Sequence, residues 1–484
     1  MTEELWRGYR VSRAAYVISL FRPTILRELE LERHGLQLLP RRPSSFTPLP
    51  DGRSLVLGGS AAQNRDEIAR FSERDARVYS EYEAFLERIA DAIEPSLDLP
   101  PPQVGWNGIE GLRSLRAAAG AAWKLGRELP RAARVLLGPA RELICEWFDS
   151  EPLRATLATD AVIGAFAAPS SPGTGYVLFH HVMGEIGGER GVWAYVRGGM
   201  GALSNAIASA ARARGVRIET QAHVDALRIR EGRAVGAVTA DGREFAADYV
   251  ISSLDPNRSF GLIEDPTQLP EAFRRSVDSI DYRSPVVKIN LALSRLPQFR
   301  VRDREKAPLS GTIHVGALDL DSIEQAFADA VGGEVSERPI VELTLPSSLD
   351  PTLAPEGKAV ASIFAQYAPA LPMDDARWPA LRDQMRDRAI SLVDEVAPGF
   401  ADSIEHVEAL APPDLERVFG LTGGNIFHGA MTPDRLLSMR PTPDWARYAT
   451  PLPHYYLCGA GTHPGGGVIG AAGRNAALEV LRRL

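Results

Sequence analysis

The stretch YYLCGAGTHPGGGVIGAAGRNAALEVLRRL, residues 455–484, constrains the fold most. A buried-strand pattern over 452–460 runs into Gly459, Gly461, Gly465, Gly466 and Gly467, and a helix pattern follows from about Gly470. A helix that starts straight after glycines aims its first backbone N–H groups at whatever lies over it, and the lack of Cβ atoms lets a flat or charged ligand come close. Gly470, Ala471, Ala472, Gly473 and Ala476 permit tight packing, while Val480 and Leu481 anchor the far end. GAGTHP does not complete a GxGxxG fingerprint, because Pro464 stands where the third glycine would be. Taken alone, the loop fits a structural tight turn as well as a cofactor seat.

At 484 residues the chain exceeds what one hydrophobic core organises, so two interwoven domains are expected. With 45% apolar and 24% charged residues it reads as globular, and no apolar run is long enough for a transmembrane segment. A net charge of −8 argues against nucleic acid as a partner. Cys145 and Cys458 lie far apart with no metal-type spacing, so neither a disulfide framework nor a metal site is expected. MTEELWRGYR has acids where a signal peptide needs a basic start.

Apolar residues at helical spacing (Ile68, Phe71, Val78, Tyr82, Phe85, Ile89) predict amphipathic helix over 61–97. A second helical stretch, 111–136, carries Arg113, Arg116, Lys124, Arg127, Arg131 and Arg134; it reads as a solvated face or as a surface for peripheral membrane contact. From Gly198 the pattern becomes a glycine turn, a helix over Ala202–Arg214, a stop at Gly215 and a β-branched strand at Val216–Thr220. An antiparallel meander then turns at Glu231-Gly232 and Asp241-Gly242 and returns into a strand at Tyr249–Ser253. Residues 284–294, 338–346 and 357–367 read as strands of a second sheet, covered by a long helix over 376–396.

The strings TEELWRGYRVSRAAYVISLFRP, GYVLFHHVMGE, VWAYVRGGMGALS, ISSLDP and YYLCGAGTHPGGGVIGAAGRNAA together resemble the phytoene-desaturase-like branch of the FAD-dependent amine-oxidase superfamily over essentially the whole chain. The resemblance implies an α/β fold: a Rossmann-like FAD-binding domain interwoven with an α+β substrate domain. Its expected pieces are 1–60, 191–260 and 416–484 for FAD, with 61–190 (helical) and 261–415 (sheet and helix) for substrate. Relatives open with a βαβ unit carrying GxGxxG before the stretch matching Thr2-Glu3-Glu4-Leu5; here that unit is missing, which predicts that the 484-residue form binds FAD weakly or not at all.

By the same resemblance Gly199, Met200 and Gly201 would lie by the isoalloxazine, Val224 would bring its backbone to the adenine, and Gly459, Gly461, Thr462, His463, Gly465, Gly466 and Gly467 would border the ribityl and pyrimidine edge. His180, His181 and Glu185 become candidates for a catalytic role in the substrate pocket. The implied activity is hydride transfer from a C–H bond of an apolar small molecule to flavin N5. Two alternatives stay open: a flavin-dependent isomerase, and a non-catalytic interaction protein that has lost its cofactor. The expected compartment is the cytoplasm, or the mitochondrial matrix in a eukaryote.

Overall fold

A computed structural model describes residues 2–102, 116, 119–302 and 307–484. Its largest element is a seven-stranded sheet, in the order Ile404–Leu410, Val286–Leu293, Ala359–Gln366, Ile340–Thr344, Thr312–Val315, Ser45–Pro48, Ser54–Leu57. Alternation along the strands gives it two unlike faces. Val287, Ile289, Leu291, Leu343 and Ile363 point one way and pack on Met385, Ala389 and Val393 of the helix Trp378–Val396. The opposite face carries Lys288, Asn290, Glu342, Ser362 and His314, all buried.

Two of the strands, Ser45–Pro48 and Ser54–Leu57, come from far upstream, and the first pairs in parallel with Thr312–Val315. Above the polar face sit the helices Glu73–Ile93, Glu151–Val162 and Thr174–Val182, which share one apolar cluster around Phe85, Phe148 and Phe179. The helix expected over 61–97 breaks after Ala69, where the Ser72 hydroxyl accepts from the Asp75 N–H at 3.1 Å and caps a new helix. Of the basic stretch 111–136, residues 111–115, 117 and 118 lie outside the described residues; Leu129–Leu137 is helical, and Trp123, Leu129 and Leu137 are exposed.

The remaining part is small. Val250–Ser252 and Tyr455–Leu457 form a two-stranded parallel sheet, flanked by the helices Met200–Ala213 and Ala471–Leu481 and by the meander Val224–Arg230, Arg233–Thr239, Glu244–Ala246. The strand expected at Val216–Thr220 is not formed: that segment is irregular and exposed. Its β-branched residues have the right propensity, but strand geometry holds only where a neighbour takes up the backbone hydrogen bonds, and no described strand runs beside it.

Among the described residues no helix is long and apolar enough to cross a membrane.

Candidate functional site

A cavity of about 820 Å³ lies between the polar sheet face, the covering helices and the glycine-rich loop after Tyr455–Leu457. Gly465, Gly466 and Gly467 form one wall. Gly465 and Gly467 have φ of +116° and +113°, where side-chain-bearing residues are strained. A Cβ on Gly466 would stand 2.5 Å from Phe427 Cδ1, and one on Gly467 2.7 Å from Leu20 Cδ1 and 2.8 Å from His180 Nε2. Bare backbone therefore faces the cavity there. Gly470, with φ +74°, ends the wall, and the helix behind it has no side-chain cap; Gly470, Ala472 and Gly473 border the cavity. The partial positive charge of that helix start is thus directed at the space.

His180 closes the same corner, its Nε2 3.2 Å from the Gly466 carbonyl oxygen. Burial, helped by neighbouring His181, pushes its pKa down to about 3, so the ring is neutral. Nε2–H then donates to Gly466, and Nδ1 is a bare acceptor, buried and with no partner among the described residues. His428 Nδ1, Tyr82 Oη and Ser45 Oγ, from three other segments around the cavity, are likewise buried without partners. These four residues all border the cavity, so its wall is polar at several points. His181 also borders the cavity; its Nδ1 lies 2.9 Å from the Val177 carbonyl and its ring stacks on Trp193.

The other sequence candidates lie elsewhere. Glu185 sits in a two-residue strand opposite Arg190 and does not reach the cavity wall. Gly459 and Gly461 are pressed against the Ser253 carbonyl and Pro256, where a Cβ would approach to 2.3 and 2.5 Å. Thr462 Oγ1 donates back to Gly459, and His463, buried and held neutral with a pKa of about 4, lies 3.2 Å through Nε2 from the Ser96 carbonyl. These residues shape the loop behind the wall. The helix start at Met200 is satisfied from within the chain: Ser12 Oγ accepts from the Met200 N–H at 3.1 Å, Thr2 Oγ1 from Gly201 at 2.7 Å, and Asp350 from Gly198 at 2.6 Å. Gly199 packs on the same Thr2 and Ser12 side chains, Met200 is in the core, and Val224 is exposed at the start of the meander.

Sequence reasoning passed over the cavity's other wall. Lys288 is fully buried there, its Nζ donating to Asn290 Oδ1 at 2.7 Å and to Ser362 Oγ and lying 5.1 Å from the centre of the Tyr16 ring. Burial pulls its pKa down to about 7 against the opposing pull of the Glu408 carboxylate. Asn290 in turn donates to Glu408 at 3.0 Å, which pairs with Arg13 at 2.6 Å near the surface. The signal was present in SPVVKINLALS, where Lys288 and Asn290 alternate with apolar residues.

The glycine wall and the uncapped helix start fit the ring end of a flavin: a flat ligand can lie on the backbone, and its acceptors meet N–H groups. The helix start at Met200, already capped by Thr2 and Ser12, offers no comparable open seat. The profile of the family described as flavin containing amine oxidoreductase matches residues 156–481. The chain belongs to that family and is an FAD-dependent oxidoreductase of amine-oxidase fold. It is 45% identical over 505 residues to pyridine nucleotide-disulfide oxidoreductase domain-containing protein 2 of Rattus norvegicus, covering 100% of this chain and 87% of that one. A hydroxyneurosporene desaturase of Cereibacter sphaeroides is 27% identical over 461 residues, 93% of this chain and 83% of the relative. Among solved structures, cyclohexylamine oxidase from Brevibacterium oxydans superposes with a TM-score of 0.54 at 18% identity, covering 100% of this chain and 91% of the other; that likeness is one of fold.

Proposed function

We propose that this oxidoreductase removes a hydride from a C–H bond of an apolar small molecule held in the cavity. The observation that carries the reading is the cavity itself, with a glycine wall on one side and a buried, readily deprotonated amine on the other. FAD held at the glycine wall would supply the two-electron acceptor.

The chain's own residues do the rest. Apolar side chains such as Leu57, Leu86, Leu157, Phe364 and Met431 line the space and exclude water, which favours an apolar substrate. The helix start at Gly470 would offer N–H groups and a positive partial charge to a flavin held at the glycine wall. His180, bonded through Nε2 to the Gly466 carbonyl, fixes the glycine wall, and His181, stacked on Trp193, braces that corner. Lys288 Nζ, whose pKa burial pulls down to about 7, can take up a proton that leaves with the hydride; Asn290 and the Glu408–Arg13 pair stabilise the charge it then carries.

The test is an anaerobic mixing experiment: FAD-loaded protein is combined with long-chain apolar compounds and bleaching of the flavin absorbance is followed. Lys288→Met and His181→Ala are expected to slow bleaching while leaving the oxidised flavin spectrum intact. Unchanged rates in both variants would remove these residues from the account.

A further inference from the structure

The sheet face that floors the cavity is polar in a way that packing alone does not require. In the pairing register His314 lies opposite Glu342, Glu342 opposite Phe364, and Phe364 opposite Lys288, and all four border the cavity. Directly opposed residues share a face, so this is one continuous row across four strands. Burying an acid, an imidazole and an amine in a row costs free energy that a plain core would avoid. The other face of the same strands is wholly apolar where it meets its helix.

The hydrogen bonds within the Glu342 end can be followed. Tyr16, kept as the phenol by burial, donates to Glu342 Oε2 at 3.2 Å. Burial and the nearby Asp160 carboxylate push the Glu342 carboxyl up, against the pull of the Tyr16 hydrogen bond and Arg41, so the protonated acid is favoured. The Thr159 hydroxyl donates to the Thr156 carbonyl at 2.7 Å, so His314 Nδ1–H must donate to Thr159 Oγ1 at 3.0 Å, which leaves His314 Nε2 as an acceptor. Burial holds His314 neutral, with a pKa of about 4. From the helix opposite, Glu83 is pushed up to about 7 by burial and by Glu87, and Tyr82 Oη and the strand residue Ser45 Oγ are buried without partners among the described residues. This end of the cavity is rich in donors and acceptors yet poor in settled charge.

We propose that the Tyr16–Glu342–His314 end of the cavity binds the uncharged oxygen of a hydroxyl or carbonyl group carried on an apolar body. The inference rests on the cavity being the substrate chamber. A carboxylate would be stripped of water beside Asp160 and an alkylammonium beside Arg41, while Glu342, favoured as the acid, offers neither of them a settled countercharge. A neutral oxygen accepts from the Glu342 carboxyl, and a hydroxyl can also donate to His314 Nε2.

The experiment uses FAD-loaded protein and five probes of one chain length: dodecan-1-ol, dodecan-2-one, dodecanoate, dodecylamine and dodecane. Binding is read by calorimetry and by quenching of tryptophan fluorescence, since Trp193 borders the cavity. The alcohol or the ketone is expected to bind at least roughly tenfold tighter than the other three. Comparing those two separates a site that only donates from one that also accepts. Glu342→Leu and Tyr16→Phe should erase the preference, whereas Glu342→Gln, which keeps a donor and an acceptor, should retain it. Tighter binding of the acid or the amine, or a preference that survives Glu342→Leu and Tyr16→Phe, overturns the proposal. Equal binding of all five overturns it while leaving the chamber in place; no binding of any probe overturns the chamber and the proposal together.

Discussion

Replacing Lys288 by methionine should stabilise the protein near neutral pH, and the advantage should vanish as the solution is made alkaline. In the unfolded chain the amine holds its proton to about 10.5, but in the folded protein burial lowers the value to about 7. Between those values the unfolded state binds more protons, so wild-type stability rises with pH; the penalty is full below pH 7 and fades toward 10.5. At about 1.4 kcal/mol per pH step, the buried amine costs roughly 4 kcal/mol at pH 7 and roughly 2 kcal/mol at pH 9. Methionine has similar length and no charge, but it forfeits the hydrogen bonds to Asn290 and Ser362, about 1 kcal/mol each. The variant should therefore gain about 2 kcal/mol at pH 7 and roughly nothing at pH 9. Urea unfolding of both proteins, followed by circular dichroism from pH 6 to 9, measures the difference directly. Parallel stability curves over that range would refute the assignment of a depressed amine.

Other consequences follow from the same structure. His314 stays neutral when folded down to about 4, so below 6.5 the unfolded state takes up protons that the folded state refuses, and stability falls; His314→Asn should flatten the acid limb by about 2 kcal/mol between pH 6.5 and 5, and an unchanged limb would contradict this. Arg22, 8% exposed, bonds Glu94 at 2.6 Å and Asp98 at 2.9 Å; Arg22→Met should cost about 3 kcal/mol in an unfolding titration, because Glu94 is left buried with Arg190 alone. Gly459→Ala should cost at least about 2 kcal/mol, since its Cβ would stand 2.3 Å from the Ser253 carbonyl oxygen. Gly473→Ala, with nothing within 4 Å of the new Cβ, should instead stabilise the last helix by up to about 1 kcal/mol, and the opposite order in thermal melts would count against the packing described.

Some of this was legible before any coordinates. The terminal strand, glycine wall and helix could be read because glycine clusters and small-residue helices have few structural uses, and the helix begins one residue after the expected Gly470. The strands around Lys288 and the helix Trp378–Val396 were equally plain in their periodicity. The helix Thr174–Val182 was not, because TGYVLFHHV is buried on most sides and has no polar stripe to mark a period. Nor could the row that Lys288 shares be read, since Glu342 and His314 join it only through strand register, which depends on pairings across long sequence separations. The two strands within 45–57 join the same sheet by a parallel contact more than 250 residues away, beyond what local pattern encodes. At the site, the family resemblance singles out His180, His181 and Gly465–Gly467, which border the cavity, as well as His463 and the Gly199–Gly201 turn, which make contacts within the chain through His463 Nε2 and the Gly201 N–H.

The most direct test of the central claim, that the flavin ring lies against the bare backbone of Gly465–Gly467, is a titration of the protein with FAD, read by quenching of flavin fluorescence, alongside Gly466→Val. In place of the weak or absent binding expected from the sequence alone, the account predicts saturable uptake by the wild-type protein and a large loss of affinity in the variant, whose side chain would meet Phe427 and push the wall into the cavity. Equal uptake by both proteins, or none by a correctly folded wild type, would contradict it.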